Sequence, residues 1–357
     1  MKVETRREKT RATLIAHYQA YPKLKIQDLF KFLYQSAFGC EHLVSSLKTA
    51  TDFISSEYAS KTNKEPTSVE ALDGSYSRVS LSHIADGLSA DTLGKIFVAS
   101  SKHEENAQTN LIQGLSAAKE LVYEGLLPFS QKEFDEALSE WAAKNYPPIH
   151  HSDTFRENYQ PSYRVISNEY IPFLHLFTEI DKRLQTDRVL LAIEGGSASG
   201  KTTLGKTLEA FYDCTLVHMD DFFLRPEQRS AERFSQIGGN IDWERFLSEV
   251  LQPISNGKPT EFRRFDCSSM SLSEKVTLEQ KKLIVVEGAY SMHPNLAEYY
   301  DLSVFLDISP QLQRERIRSR NSSQMAKRFF EEWIPLENTY FAATDIKHRC
   351  DITVNIL

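Results

Sequence analysis

Apolar residues in the first half of the chain recur mainly at helical spacing. Over residues 3–60 they fall at intervals of three and four, as on one face of a helix. This pattern is carried by Leu29, Phe30, Phe32, Leu33, Leu43, Leu47 and Phe53. Similar helical patterns cover residues 90–102, 104–125 and 131–145. One short strand is predicted where Tyr76, Val79 and Leu81 alternate with polar residues. The first half is therefore predicted to be mainly α-helical.

The second half alternates short apolar runs with helical segments. The runs are Val189–Ile193, Thr215–Met219, Leu283–Val286 and Leu302–Leu306. Runs that are apolar on both faces and separated by helices are typical of a parallel sheet covered on both sides. We therefore predict an α/β, doubly wound fold. The domain boundary is expected in the irregular stretch before the helix at residues 167–184, which gives domains of residues 1–166 and 167–357.

Composition limits the classes of partner. A chain of 357 residues with 41% hydrophobic and 25% charged residues is typical of two conventionally folded domains. With a net charge of -7 and dispersed Lys and Arg, we expect no nucleic-acid partner. We expect no membrane partner and a cytoplasmic protein, because no stretch approaches the ~20 apolar residues of a membrane span. The sequence leaves a homo-oligomer open. Four widely spaced cysteines are expected to be reduced thiols: Cys40, Cys214, Cys267 and Cys350.

A phosphate-binding loop follows the first apolar run of the second half. It consists of Gly195, Gly196, Ser197, Ala198, Ser199, Gly200, Lys201, Thr202 and Thr203. This is the strand, GxxxxGK[ST], helix arrangement, in which backbone N–H groups and a helix N-terminus bind phosphates. Lys201 is expected to reach the β and γ phosphates, and Thr202 to ligate Mg²⁺. The alternative is a chance Gly/Ser turn.

Carboxylates follow the next two predicted strands. Asp220 and Asp221 follow the second apolar run, and Glu287 follows the third. Ligands gather at the carboxyl ends of parallel strands, so Asp220 is expected beside the phosphate loop, as a base for an attacking hydroxyl and a metal ligand. Glu287 could orient Mg²⁺ or its waters. The alternatives are a simple turn at Asp220 and Asp221, and a structural salt bridge at Glu287.

A basic helix follows further along the chain. Its arginines fall on two faces, Arg314 with Arg318 and Arg316 with Arg320, because a helix turns about 100° per residue. An arginine near the transferred phosphoryl group would neutralise developing charge. We assign this role to Arg314 and Arg318; the alternative is a solvated basic face.

These motifs together resemble the uridine kinase family, which is grouped with phosphoribulokinase, pantothenate kinase and nicotinamide riboside kinase. The resemblance covers about residues 185–357 and rests on GGSASGKTT, VHMDDFFLRPE, LIVVEGAY, DLSVFLDISPQLQRERIRSR and CDITVNI. It implies a P-loop kinase fold, ATP with Mg²⁺, and Asp220 as the residue that deprotonates the substrate hydroxyl. It also maps the family's strand-end carboxylate to Glu287 and places its lid arginines within residues 314–320.

The sequence differs from the family pattern in the segment that is expected to recognise the substrate. The segment EFRRFDCSSMSLSE lacks the aromatic and histidine pattern associated with uridine recognition. We expect the acceptor pocket to be lined by Asp220, Phe223, Arg263, Arg264, Asp266 and Tyr290; the alternative for the residues after Asp220 is ordinary surface and packing roles.

The N-terminal half contains two segments rich in His, Arg and Tyr, near residues 38 and 149. A metal site could use Glu41, His42, His150 and His151, although regular ligand spacing is absent. An acceptor or effector site at the domain interface could use His150, Arg156, Tyr159 and Arg164. The third interpretation is hydrogen-bonded loops that pack the domains. This half vaguely resembles leader domains of bacterial uridine kinase-like proteins, and its role stays open.

Three functions are therefore compared. The preferred one is ATP-dependent transfer of a phosphoryl group to a small-molecule hydroxyl, with a nucleoside such as uridine as the expected acceptor. A GTPase-type switch would need Asn-Lys-x-Asp and DxxG motifs, which the sequence lacks after residue 202. A nucleotide-binding sensor with a kinase fold remains the alternative, although such a sensor would need no base at Asp220.

Overall fold

The computed structural model describes residues 6–40, 46–60, 67–101 and 105–356. The chain divides into two compact units, Met1–Leu174 and His175–Leu357. The division falls later in the chain than residue 166, because the strand Tyr163–Ser167 pairs within the sheet of the first unit. In the described part of the chain, no helix is both long enough and apolar enough to cross a membrane.

The first unit is mainly helical and contains a small antiparallel sheet. Its helices are α1 (Arg6–Ala20), α2 (Ile26–Phe38), α3 (Leu47–Ala59), α4 (Ala90–Ala99), α5 (Ala107–Tyr123), α6 (Gln131–Ala143) and α7 (Asp153–Tyr159). Its strands are β1 (Val69–Ala71), β2 (Tyr76–Ser80) and β3 (Tyr163–Ser167), in the order β1-β2-β3. The helical prediction and the strand at β2 are confirmed. β1 and β3 escaped prediction because each is short and shows little alternation.

A buried guanidinium links α2 to the sheet. Arg78 on β2 is 2% exposed and donates to Gln35 at 2.9 and 2.7 Å and to Glu70 at 3.0 Å. The guanidinium carbon also lies 4.7 Å from the ring centroid of Tyr163 and 5.3 Å from that of Phe32. A buried charge is tolerated only when it is paired and hydrogen-bonded, and Arg78 meets both conditions.

A second polar cluster joins α2 to the segment before α7. Buried Asp28 accepts hydrogen bonds from the Ser152 hydroxyl at 2.6 Å and the Ser152 N–H at 2.9 Å. His151 contacts Asp28 through Nδ1 at 3.1 Å and the Tyr163 hydroxyl through Nε2 at 2.7 Å. Burial lowers the pKa of His151 to about 4, so the ring is neutral at pH 7 and uses both nitrogens within the protein.

The other N-terminal candidates make local contacts. The His150 carbonyl accepts from Gln27, the Tyr159 hydroxyl accepts from the Lys23 N–H, and Arg164 pairs with Glu57 at 2.9 Å. Glu41 and His42 lie outside the described residues. Within the described ranges, no three His, Cys, Asp or Glu side chains are grouped as a metal site would require. An acceptor or effector site formed by His150, Arg156, Tyr159 and Arg164 stays a prediction.

The second unit is built on a five-stranded parallel sheet. Its strands are β4 (Val189–Gly195), β5 (Cys214–His218), β8 (Leu283–Glu287), β9 (Leu302–Ile308) and β10 (Ile352–Ile356). Their order is β10-β9-β4-β8-β5 and every neighbouring pair is parallel. The predicted doubly wound α/β fold is confirmed. The chain crosses from β4 to β5 and later returns to β9 on the other side, so the segment after β4 lies where the strand order reverses.

Helices and one hairpin complete this unit. The helices are α8 (Leu174–Leu184), α9 (Lys201–Phe211), α10 (Ala231–Ser235), α11 (Trp243–Phe246), α12 (Gln252–Ser255), α13 (Pro310–Arg320), α14 (Ser323–Arg328), α15 (Ile334–Thr344) and α16 (Ile346–Arg349). A π-helical turn at Phe329–Trp333 joins α14 to α15. The hairpin consists of β6 (Thr260–Asp266) and β7 (Ser271–Leu278). It escaped prediction because most of its side chains are exposed.

Substitution of Asp28 should destabilise the first unit. Although burial alone would raise the pKa of Asp28, hydrogen bonds from His151, Ser152 and Lys25 hold it at about 2. We expect Asp28→Asn to lower the free energy of unfolding at pH 7 by about 2–4 kcal/mol in urea titrations, because it leaves buried donors unsatisfied. Exposed Glu157→Gln is the control and should change little.

The destabilisation caused by Asp28→Asn should become smaller as the pH falls. The depressed pKa of Asp28 contributes stability above its unfolded-state value of about 4 that disappears as the pH falls towards 2. An Asp28→Asn effect that stayed constant from pH 7 to pH 3 would contradict this account.

Candidate active site

The phosphate loop turns tightly between β4 and α9. Gly195 has φ +144°, and a Cβ there would lie 2.7 Å from the Leu306 carbonyl oxygen. Ala198 adopts φ +62°, a left-handed conformation that non-glycine residues adopt at a cost and that clusters at functional sites. Gly200, with φ +104°, caps the N-terminus of α9. The predicted strand, loop and helix are therefore present in the structure.

Lys201 and Thr202, the first two residues of α9, contact different partners. Lys201 donates from Nζ to the carbonyl oxygens of Gly195 and Gly196 at 2.8 and 3.0 Å, so its charge lies over the loop. The Thr202 hydroxyl donates to Glu287 at 3.0 Å, across from the end of β8. The same Glu287 oxygen lies 2.6 Å from His218 Nδ1. The hydrogen bond with Glu287 raises the pKa of His218.

Asp220 lies in the 3₁₀ turn Met219–Phe222 directly after β5. Its side chain stays accessible to solvent, yet surrounding protein atoms and the nearby charge of Glu287 raise the pKa of its carboxyl, against the attraction of Lys201. The sheet pairs Glu287 with His218, two residues before Asp220, and Glu287 contacts Thr202 beside Lys201, so the three side chains lie at one edge of the sheet. A carboxylate with a raised pKa is better suited to accept a proton from a hydroxyl.

The β6–β7 hairpin meets the turn that carries Asp220. Arg264 lies 3.3 Å from the Asp221 carboxylate. Arg245, buried on α11, donates to the carbonyl oxygens of Asp221 at 3.0 Å and Arg263 at 2.6 Å. Its guanidinium also lies 4.2 Å from the Phe222 ring centroid. Arg245, which the sequence did not single out, therefore ties the hairpin to the Asp220 turn.

The remaining acceptor candidates occupy different surroundings. Arg263 and Arg264 have exposed side chains on β6, and Phe223 forms an isolated bridge with Ile241. Asp266 accepts hydrogen bonds from Ser268 and Ser269 within the hairpin turn. Tyr290 is buried, with its ring centroid 4.8 Å from that of Tyr340. The structure thus brings Arg264 towards the Asp220 turn, while Tyr290 lies in the core.

The arginines of α13 fall on the two faces expected of a helix. Arg316 donates to the Ala198 carbonyl at 3.3 Å, and neighbouring Gln313 donates to the Ser197 carbonyl at 2.9 Å. Arg314 and Arg318 instead place their guanidinium groups 5.5 and 5.6 Å from the Phe330 ring centroid. It is Arg316, on the other face from the pair chosen from the sequence, that contacts the loop.

A cavity of about 200 Å³ adjoins the start of the phosphate loop. It is bordered by the end of β9, by α13 and by α15. The residues of its wall that could contact a planar ring include Gly196, Arg314, Phe330, Asn338 and Phe341. Aromatic and polar groups of this kind can hold a nucleotide base beside its phosphates.

A buried carboxylate lies beneath the loop. Glu194, fully buried on β4, accepts hydrogen bonds from the N–H groups of Gly195, Tyr290 and Met292 at 2.9, 3.1 and 3.0 Å. It also accepts one from the Tyr340 hydroxyl at 3.2 Å. Burial raises its pKa to about 7 despite these donors. Glu194 thereby joins the phosphate loop to the turn after β8 and to α15.

Sequence reasoning missed several of these residues. A glutamate inside the buried run VLLAIEG was a signal for Glu194, because an unpaired charge is rare there. His218 directly precedes the MDD segment and could have been noted with it. Glu337, which accepts from the Ser197 N–H at 2.9 Å, is 140 positions away in the chain and gave no signal.

The fold and the loop geometry define a P-loop nucleotide-binding protein. The chain matches the family model described as Phosphoribulokinase / Uridine kinase family over residues 190–324. Nicotinamide riboside kinase 2 of Mus musculus is 30% identical over 141 residues, which cover 37% of this chain and 68% of that protein. The uridine kinase of Shewanella piezotolerans is 30% identical over 132 residues, with coverages of 33% and 62%.

A third relative is the bifunctional alpha-galactosidase/sucrose kinase AgaSK of Mediterraneibacter gnavus. It is 28% identical over 198 residues, which cover 48% of this chain and 21% of that protein. The chain thus spans less than two thirds of the length of the sucrose kinase and uridine kinase relatives. It belongs to the phosphoribulokinase/uridine kinase family.

Glu194 should make the stability of the second unit depend on pH. A buried carboxyl whose pKa is raised from 4.5 to about 7 costs stability as the pH rises through that interval, because only the unfolded chain ionises freely. We expect the free energy of unfolding to fall by roughly 2–4 kcal/mol between pH 5 and pH 8. Glu194→Gln should largely remove this dependence, as measured by urea unfolding at both pH values. Identical pH profiles for the two proteins would contradict the assignment.

Proposed function

We propose that the chain is an ATP-dependent kinase that transfers the γ-phosphoryl group to a hydroxyl of a small molecule. The proposal rests on the convergence of the phosphate loop with the carboxylates after β5 and β8. The key observation is the 3.0 Å hydrogen bond from Thr202 to Glu287, beside an Asp220 whose pKa responds to both Lys201 and Glu287. A cytoplasmic location belongs to this proposal, since such a kinase uses cellular ATP.

The side chains of the site fit a magnesium ion. Mg²⁺ prefers oxygen ligands, and Thr202 and Glu287 already bring a hydroxyl and a carboxylate together. Asp220 is the third proposed ligand, direct or through water. When bound, the ion would neutralise phosphate charge. Lys201 would hold the phosphates, while Asp220 would accept the proton of the acceptor hydroxyl.

The acceptor is proposed to bind between the Asp220 turn and the β6–β7 hairpin. A nucleoside such as uridine is the first choice, in keeping with the relatives named uridine kinase. A sugar is the second, because one relative is named a sucrose kinase and the pair of half-buried Asp221 and exposed Arg264 offers an acceptor and donors to neighbouring hydroxyls. Phe223 and Arg263 are proposed as further contacts of the acceptor, and Tyr290 as part of the supporting wall.

Removal of the proposed base should abolish turnover without abolishing nucleotide binding. We expect Asp220→Asn to lower kcat about 100-fold or more with little change in the Kd of ATP. Lys201→Ala should weaken ATP binding as well. The measurement is ADP release from Mg·ATP against a panel of nucleosides, sugars, pantothenate and other small alcohols.

The panel also separates the alternatives. Stimulation by one acceptor class names the substrate. An Asp220→Asn protein with unchanged turnover would refute the base. Tight ATP binding without stimulation by any acceptor would favour the nucleotide-binding sensor.

The arginines of α13 can be ranked by substitution. Since Arg316 contacts the phosphate loop, we expect Arg316→Ala to lower kcat/KM for ATP by about tenfold or more. Arg314→Ala and Arg318→Ala, which remove the proposed lid arginines beside Phe330, should have smaller effects. If Arg314→Ala or Arg318→Ala lowered kcat/KM for ATP more than Arg316→Ala does, the catalytic arginine would lie on the face of Arg314 and Arg318 instead.

A further inference from the structure

Glu337 is a buried carboxylate held by the phosphate loop itself. It lies on α15 and is 5% exposed. Its Oε2 accepts a hydrogen bond from the Ser197 N–H at 2.9 Å, and its Oε1 accepts one from the Ser197 hydroxyl at 2.5 Å. Loops of this kind bind anions through backbone N–H groups. An anion of the protein therefore occupies one of the loop's own donors.

The position of this carboxylate is fixed by its helix. Tyr340, one turn further along α15, donates to Glu194 at 3.2 Å, and Glu194 in turn accepts from the Gly195 N–H. α15 thus contacts the loop at two positions. Tyr340 reaches Gly195 through Glu194, and Glu337 binds Ser197 directly. Both contacts come from one helix, so the position of α15 and the conformation of the loop are linked.

The charge of Glu337 acts on the rest of the site. After burial and Glu287, it is among the charges that raise the pKa of Asp220. It also contributes, with burial, to the raised pKa of Tyr290. An incoming triphosphate would meet the same negative charge, because the phosphates are proposed to bind the loop that Glu337 contacts.

We propose that Glu337 sets the affinity of the loop for nucleotide phosphates, by presenting a fixed negative charge that opposes them. This inference rests on the proposed binding of ATP to the same loop. Like charges a few ångströms apart in a partly buried site repel appreciably even at an effective dielectric constant of about 20. Glu337 therefore weakens the binding of ATP and ADP but leaves the binding of an uncharged nucleoside unaffected.

The test separates charge from shape. Glu337→Gln removes the charge, while its amide oxygen and NH₂ group can still bond the Ser197 N–H and hydroxyl. Calorimetry would give the Kd of Mg·ATP, Mg·ADP and adenosine for both proteins without an acceptor. We expect Mg·ATP and Mg·ADP to bind at least about fivefold more tightly to the variant at low ionic strength, and this gain to shrink with added salt. The affinity for adenosine should not change.

A matched control carries the same change in net charge elsewhere on the same segment. Glu331 is exposed and pairs with Lys327 at 3.8 Å, so Glu331→Gln should leave all three affinities at their wild-type values. Glu337→Ala, which loses the hydrogen bonds as well as the charge, should still gain affinity for Mg·ATP relative to adenosine. This second variant keeps the test valid if the Gln variant folds poorly.

Three results would overturn the inference. Equal or weaker Mg·ATP binding by Glu337→Gln would show that the carboxylate only braces the loop. An equal gain for adenosine and Mg·ATP would show a change in the base pocket, not in charge. Failure of the wild-type protein to bind Mg·ATP would overturn the proposed function together with this inference, whereas the first two results would leave the proposed function standing.

Discussion

The parallel register of β4, β5 and β8 is the constraint on which the site depends. These neighbouring strands end at the same edge of the sheet, which brings the phosphate loop, the Asp220 turn and Glu287 together. β4 and β8 are buried on both faces, and β5 is aligned with them by its ladder to β8. Pre-organised charge of this kind is what phosphoryl transfer requires, because most of the catalysis is positioning and neutralisation.

Two buried carboxylates, those of Glu194 and Glu337, hold the phosphate loop against neighbouring elements. Glu194 ties the loop to the turn after β8, and Glu337 ties it to α15. Both are buried acids close to a site that binds anions, which costs electrostatic free energy unless donors surround them. Backbone N–H groups and hydroxyls supply those donors. The shape of the loop is therefore set by the protein, and under the proposal above the charge of Glu337 opposes the phosphates.

Much of the second unit could be predicted from the sequence because its signals are local. The strand, loop and helix at residues 189–211 are contiguous, and the buried strands consist mainly of apolar residues. The hairpin β6–β7 gave no such signal, since its strands are largely exposed. Glu337 could not be found because its contact joins residues far apart in the chain. The helical periodicity of α13 predicted that Arg316 lies on a different face from Arg314 and Arg318. It could not predict which of the two faces contacts the phosphate loop.

In the first unit, the helices could be predicted from the sequence but the polar contacts of its interior could not. Its helices follow from periodicity, but its interior contains polar chains such as Asp28, His151 and Tyr163, whose meaning depends on packing. The sequence showed only that His and Arg were concentrated there. The structure shows that Asp28, His151 and Tyr163 are joined in one hydrogen-bonded cluster, as buried polar groups usually are.

The most direct test of the central claim follows the phosphoryl group itself. ATP labelled in its γ-phosphate, incubated with the protein, Mg²⁺ and a small-molecule extract of cells, should transfer the label to a phosphate ester of a hydroxyl compound, and Asp220→Asn should slow this transfer about 100-fold or more. Label that stays in ATP, or appears only as inorganic phosphate in both proteins, would contradict the account.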